Sequence, residues 1–145
     1  MFRHILFPTD GEAPSRAALA QCVAFAKACG ARLTGLHVVP PFHVLTTNAA
    51  MLRDTPETYA AHSQAHARAC LEQVAESARE QGVVYETLIV EHEAPHEAII
   101  DAARSHHCDL IAMASHGRRG MRALLIGSET QKVLTHSKLP VLVYR

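Results

Sequence analysis

Short apolar runs alternate along this chain with longer stretches in which apolar residues recur every three to four positions. That alternation predicts strands and helices in turn, hence an α/β fold. His4–Pro8 is an apolar run ending at Thr9, Asp10 and Gly11, which predicts a buried strand entering a turn. From Pro14 to Cys29 the chain is alanine-rich, with Leu19, Cys22, Val23 and Ala26 at i, i+3, i+4 and i+7. Those positions make one helix face, and Gly30 stands where a helix-closing glycine belongs. Leu33–Val39 predicts a second strand, stopped by Pro40 and Pro41. Residues 41–54 show no clear period and read as an irregular loop.

Asp54, Thr55 and Pro56 form a helix start, a capping side chain followed by a proline in the first turn. The helix is expected to run to about Gln81 and stop at Gly82. Val83–Val90 is rich in β-branched residues and predicts a third strand. Ala94–His107 reads as a helix opened by Pro95, with Ile99, Ile100 and Ala103 facing inward. Asp109–Ala114 is a fourth strand, residues 115–126 a loop containing glycine and arginine, Ser128–Ser137 a short helix and Val141–Tyr144 a last strand. Strands this apolar predict a parallel sheet buried on both faces. Ligands of such sheets bind beyond the strand carboxyl ends, where strand order reverses. That rule points to Thr9–Gly11, to Val38 and Val39, and to the loop after Ala114.

Composition narrows the function. The 145 residues fit one domain, and 48% hydrophobic with 19% charged residues is ordinary for a globular chain. Lys+Arg and Asp+Glu both number 14, so the basic excess of a duplex nucleic-acid binder is missing. No uncharged apolar stretch approaches about 18 residues, so no membrane partner is expected. The run Ile5–Phe7 meets Pro8 and Asp10 before a secretory h-region could form. Cys22, Cys29, Cys70 and Cys108 are scattered without CxxC spacing and read as reduced core thiols, in keeping with a cytoplasmic location.

Candidate chemistry concentrates in Met113–Ser128. A loop leaving a strand passes Gly117 and Gly120 and reaches Gly127 and Ser128 at a helix start. Glycines admit a phosphate close to the backbone, and a helix N-terminus offers it free amides. Arg118, Arg119 and Arg122 could add charge-assisted contacts. A second reading is purely structural: Ser128-Glu129-Thr130-Gln131 has the form of a capping box, and the glycines are plain turn residues. Asp10 likewise reads either as a ligand to a sugar hydroxyl or as a cap for the next turn. Neither a Walker A loop nor a GxGxxG fingerprint is present.

The same stretch carries a resemblance. Universal stress proteins have a strand–loop–helix motif G-x2-G-x9-G followed by Ser or Thr. Here two residues separate Ala114 from Gly117, and nine separate Gly117 from Gly127 and Ser128. The opening Ile5–Asp10, Leu36–Val38, Asp109–Ile111, Ala114–Gly117 and the closing Leu139–Val143 also resemble that family, over essentially the whole chain. The resemblance implies a five-stranded parallel, three-layer, Rossmann-like sandwich that binds ATP with Mg2+ as a regulatory stress-response module. It implies a homodimer paired through Val141–Tyr144, a still unidentified protein partner, and no dedicated enzymatic activity beyond slow ATP hydrolysis. Residue by residue it places Asp10 on the ribose and adenine side, with Pro8 and Thr9 shaping that wall and Val38 meeting adenine through its backbone. Met113, Ala114 and Gly117 form the floor, Arg118 lies in the motif loop, and Gly127, Ser128 and Glu129 hold the phosphates. Ala114 departs from the motif, which has glycine there, and family members lacking the motif bind no ATP. A nucleotide-free interaction module is therefore the alternative.

Eleven histidines are many for this length. His62, His66 and Cys70 lie at i, i+4 and i+8 on one predicted helix face. The outer two are about 12 Å apart along a helix axis, too far to share one metal ion, so no metal site is assigned. His116 could approach a phosphate or shape its own turn. No GxSxG, HExxH or paired Cys/His arrangement marks a catalytic centre.

Overall fold

The computed structural model describes residues 1–43, 47, 49–116 and 126–145. Its elements are β1 (His4–Pro8), α1 (Ala13–Cys29), β2 (Arg32–Val39), α2 (Ala49–Arg53), α3 (Pro56–Gln81), β3 (Tyr85–Glu91), α4 (Pro95–Ser105), β4 (Leu110–Ala114), α5 (Ser128–His136) and β5 (Val141–Tyr144). The five strands form one parallel sheet in the order β3-β2-β1-β4-β5. Helices α1 and α3 pack on one face and α4 and α5 on the other.

Alternation along each central strand feeds two separate cores. Ile5, Phe7, Leu33, Leu110 and Ala112 meet Leu19, Cys22 and Val23 of α1 and Val74 and Ala78 of α3. Leu6, Leu36, Ile111 and Met113 point the opposite way, onto Ile99, Ala102 and Ala103 of α4 and Val133 of α5. Each large side chain so buried contributes about 1.5–3 kcal/mol. The edge strands differ from the expectation of a sheet buried on both faces. β3 alternates half-buried with exposed residues, and β5 is half-buried throughout, because each has a neighbour on one side only.

Two further differences have local causes. The loop expected over residues 41–54 contains the one-turn helix α2, whose Met51 is buried and anchors it. The capping box expected at Ser128 does not form: Gly127 is the cap residue, Ser128 is the first helical residue, and no side chain caps the helix. Thr55, by contrast, caps α3 as expected, its hydroxyl accepting from the Thr58 amide at 3.1 Å.

Three helices end in the same way at the amino-terminal edge of the sheet. In α1, α3 and α4 the chain turns left-handed after the last turn, at Gly30, Gly82 and His107, with φ of 66°, 69° and 54°. Paired amide bonds close each end, Cys108 N–H to the Ala103 carbonyl and His107 N–H to that of Arg104 in α4. A side chain in that conformation costs about 1–2 kcal/mol. His107→Gly is therefore expected to raise unfolding stability by about 1 kcal/mol in urea titration, with an unchanged denaturant slope.

Candidate functional site: a cleft at the switch in strand order

β1 is followed by β2 on one side and flanked by β4 on the other, so strand order reverses at the carboxyl end of β1. A cleft of about 300 Å3 opens there, lined among others by Pro8, Thr9, Asp10, Val38, Met113, Ala114, His116 and Glu129. The three segments singled out in the sequence thus converge on one site. Gly127 and Ser128 begin α5, of which Glu129 and Thr130 line the same cleft. Gly117 and Arg118, with Arg119, Gly120 and Arg122, lie outside the described residues.

Backbone alternation gives Val38 its role in the geometry. The Thr9 amide donates to the Leu36 carbonyl at 2.9 Å, so Leu36 faces β1. The His92 amide donates to the Val39 carbonyl, so Val39 faces β3. Val38, between them, presents its amide and carbonyl toward β1, which has already ended at Pro8. Those two groups open onto the cleft where a strand partner would otherwise continue.

Asp10 makes the turn contacts of its capping reading and also lines the cleft. Its Oδ1 accepts from the Glu12 amide at 2.9 Å and from the Ser15 hydroxyl at 2.8 Å, fixing the turn into α1. Both bonds fall on one oxygen, and the carboxylate stands in the cleft wall. Opposite it, the Gly127 amide donates to the Ser115 carbonyl. Helix geometry leaves the amides of Ser128, Glu129 and Thr130 without intrahelical acceptors. Glu129 turns its carboxylate away to α4, accepting from the His96 amide at 3.1 Å and pairing with Lys132 at 3.0 Å. Its amide remains with α5, so a phosphate there would meet a helix N-terminus without meeting that charge. The Thr130 hydroxyl donates to the Ala114 carbonyl and ties α5 to the end of β4.

Ala114, where the motif has glycine, is accommodated without strain. It closes β4 in register with Tyr144, and no positive φ occurs there. Its side chain belongs to the core beneath α1, whereas Met113 beside it belongs to the α4 and α5 side. Ala114 and Ser15 of α1 line the cleft together with Leu36, Met113, Pro95 and Ile99.

His116 was left between two roles by the sequence. Its Nδ1 lies 2.9 Å from the Ser115 hydroxyl, and its buried Nε2 has no partner among the described residues. His37 enters the site unannounced. Its Nδ1 lies 2.9 Å from the Thr9 carbonyl, which can only accept, so Nδ1 carries the proton. Burial lowers its pKa, opposed by the Thr9 carbonyl, so the ring is neutral near pH 7. Six other histidines, His4, His43, His62, His92, His96 and His106, lie within 4 Å of a carboxylate. The exposed pairs among them are worth little to stability. Burial holds the Cys22 and Cys108 thiols up at about 12, helped at Cys108 by the Glu86 charge, so both are inert core groups.

A second cleft of about 410 Å3 lies between Arg3, Lys27, Arg32, Gly30 and Gly82. The carboxyl ends of α1 and α3 meet there, and their negative dipole ends oppose an anion. The switch-point cleft offers helix N-termini instead.

The model of the universal stress protein family matches residues 1–145. The chain belongs to that family. It is 32% identical over 149 residues to the universal stress protein YxiE of Bacillus subtilis, with both chains fully covered. A universal stress protein of Thermus aquaticus is 34% identical over 146 residues, again with full coverage of both. Among solved structures, the universal stress protein UspA of Lactobacillus plantarum superposes with a TM-score of 0.81 at 27% identity, covering 99% of this chain and 97% of that one. Two more distant family structures share the fold and are described as complexes. One is bound to cAMP (TM-score 0.70, 23% identity, coverage 99% and 97%), and one from Archaeoglobus fulgidus to dAMP (0.72, 16%, 99% and 98%). Among the described residues no helix is long and apolar enough to cross a membrane.

Proposed function

We propose that this universal stress protein is a regulatory module that binds ATP in the switch-point cleft and works as a homodimer in the cytoplasm. The observation that carries the reading is the convergence of Val38's open backbone, the Asp10 carboxylate and the uncapped start of α5 on one cleft. An adenine edge needs a donor and an acceptor at strand spacing, which Val38 offers. A ribose hydroxyl can donate to the Asp10 carboxylate. Phosphates are favoured at the α5 N-terminus by free amides and the helix dipole. Nε2 of His116, without a partner among the described residues, could add one more polar contact in the same wall. Family structures bound to cAMP and dAMP support an adenine nucleotide as the ligand class. Mg2+ would arrive on the phosphates and keep most of its water, since it dehydrates reluctantly.

Asp10→Asn tests the assignment at one atom. The amide oxygen can still accept from Glu12 and Ser15, so the turn is kept while the charge is lost. Calorimetric titration with ATP is expected to show affinity reduced about tenfold or more, the range of a hydrogen bond to a charged group. Unchanged affinity would remove Asp10 from the ribose side.

The sheet edge supports the homodimer. β5 is an apolar edge strand, Val-Leu-Val-Tyr, paired on one side only. The carbonyls of Pro140 and Tyr144 accept from β4, so the amides of Val141 and Val143 face outward. Such an edge is a ready template for a second copy. Val143→Pro deletes one outward donor, and an edge strand tolerates it. Sedimentation velocity is expected to show the monomer for this variant and the dimer for the parent chain.

A further inference from the structure

We propose that His37, His66 and Cys70 form an exchangeable site for a zinc-class divalent cation, leaving one coordination position to solvent. The three residues come from two elements that the sheet brings together. His66 and Cys70 are one turn apart on α3, and His37 lies near the end of β2, against which α3 packs. Their donor atoms all lie within 4.8 Å of one another. The Nε2 of His66 stands 3.5 Å from the Cys70 sulfur. Tetrahedral zinc, with bonds of about 2.0 Å to nitrogen and 2.3 Å to sulfur, sets that edge at about 3.5 Å. One edge of the tetrahedron is therefore already at length, and side-chain rotation need close only the remaining separations to His37.

The orientation of His37 suits a ligand. Its Nδ1–H donates to the Thr9 carbonyl, which leaves Nε2 unprotonated and holds the ring still, the support that zinc-bound histidines commonly have. The rings of His37 and His66 meet edge to face at 5.3 Å. His37 and Cys70 are buried and His66 is exposed, so an ion can enter from solvent past His66 and keep a water on that side. Two imidazoles and a thiolate favour zinc, cobalt or copper over magnesium and calcium, so the Mg2+ that accompanies ATP does not compete. On binding, the Cys70 thiol releases its proton to solvent and gives up its 3.3 Å contact to the Asp10 carbonyl. His62, the third member of the helical row, takes no part: it is exposed and lies 3.6 Å from Asp54.

His37 also lines the switch-point cleft, so the test is made without nucleotide. Apo protein, reduced with a non-chelating phosphine, is titrated with Co2+ and then with Zn2+. One equivalent of Co2+ is expected to give intense tetrahedral d–d bands and a near-ultraviolet thiolate-to-cobalt charge-transfer band, both erased by Zn2+. Cys70→Ala should abolish the charge-transfer band. His66→Ala, at an exposed position that leaves the core untouched, should weaken Co2+ affinity by about tenfold or more. Cys29→Ala, a half-buried thiol elsewhere, should change neither. Only the pale spectrum of hydrated Co2+ at one equivalent, or a charge-transfer band that survives both Cys70→Ala and His66→Ala, would overturn the proposal. The sulfur–imidazole contact would then be a hydrogen bond and nothing more.

Discussion

Saturating ATP with magnesium is expected to raise the unfolding midpoint of the parent chain by about 8–10 °C. A ligand that binds only the folded state at about 100 times its dissociation constant adds about 2.7 kcal/mol. A domain of this length gains about 3–4 °C per kcal/mol. Gly127→Val supplies the matching loss. Gly127 has φ −59° and ψ 153°, a conformation that any residue adopts, so the backbone there does not require glycine. A branched side chain at that point nevertheless stands at the mouth of α5, where the phosphates would sit. Val is a poorer cap residue than Gly, so the variant should lose about 0.5–1.5 kcal/mol, a ligand-free midpoint lower by about 2–6 °C. It should also lose most of the ATP shift measured from that midpoint. Equal shifts in both proteins would move the nucleotide away from α5. No shift in either would favour the nucleotide-free reading, with Ala114 in the cleft wall where the motif has glycine.

Gly11→Ala is expected to destabilise the fold by about 3 kcal/mol, measured as a lower urea midpoint with an unchanged slope. Two costs combine. Gly11 has φ 78°, which an L side chain occupies at about 1–2 kcal/mol. A Cβ there would lie 2.5 Å from the Cys70 sulfur, an overlap that relaxes only by moving α3 or turning Cys70. Overpacking of that kind costs about 1–3 kcal/mol. The two costs separate in a double-mutant cycle with Cys70→Ala. Removing the sulfur leaves the added Cβ 3.4 Å from the Cys70 Cβ, close but tolerable contact, so the double variant should recover the packing part and retain the backbone part. Strict additivity would show that the contact yields freely.

The helices and central strands were legible because their signals are local and agree. Leu19, Cys22, Val23 and Ala26 mark one face, and all four are buried. Thr55 and Pro56 mark a start, and Gly30 and Gly82 mark ends. The apolar run at β1 needed no context, since a strand with neighbours on both sides and helices on both faces has no polar side to show. β3 was harder. Its seven residues mix exposed and half-buried positions, so its limits depend on where β2 supplies partners, which begins at Tyr85.

The site was legible where a motif or a strand end marked it, at Asp10, Val38 and Gly127. His37 was missed because its significance is a matter of register. Gly35 lets α3 approach β2 so closely that an added Cβ would lie 2.9 Å from Val74. Two residues along the strand from Gly35 is His37, and one turn back from Val74 is Cys70. Nothing in the local pattern of either segment states that Gly35 and Val74 touch. The alternative reading of Ser128 as a capping residue does not hold: the first helical bond runs from the Gln131 amide to the Gly127 carbonyl, so Gly127 is the cap residue.

The sheet order also has a consequence during synthesis. Of the five strands β1 is made before the others, yet it occupies the middle of the sheet. Its partner on one side, β2, begins only 28 residues after β1 does, whereas its partner on the other side, β4, begins at Leu110. A nascent chain can therefore assemble β3, β2 and β1 under α1 and α3 while Leu6 and the rest of the second core remain uncovered. From the synthesis of Glu91 until β4 arrives, the growing protein is half a sandwich with one apolar face and the β4-side edge of β1 exposed. Such a species attracts chaperones and like chains. The second core waits on roughly the last quarter of these 145 residues, which brings β4, α5 and β5 together.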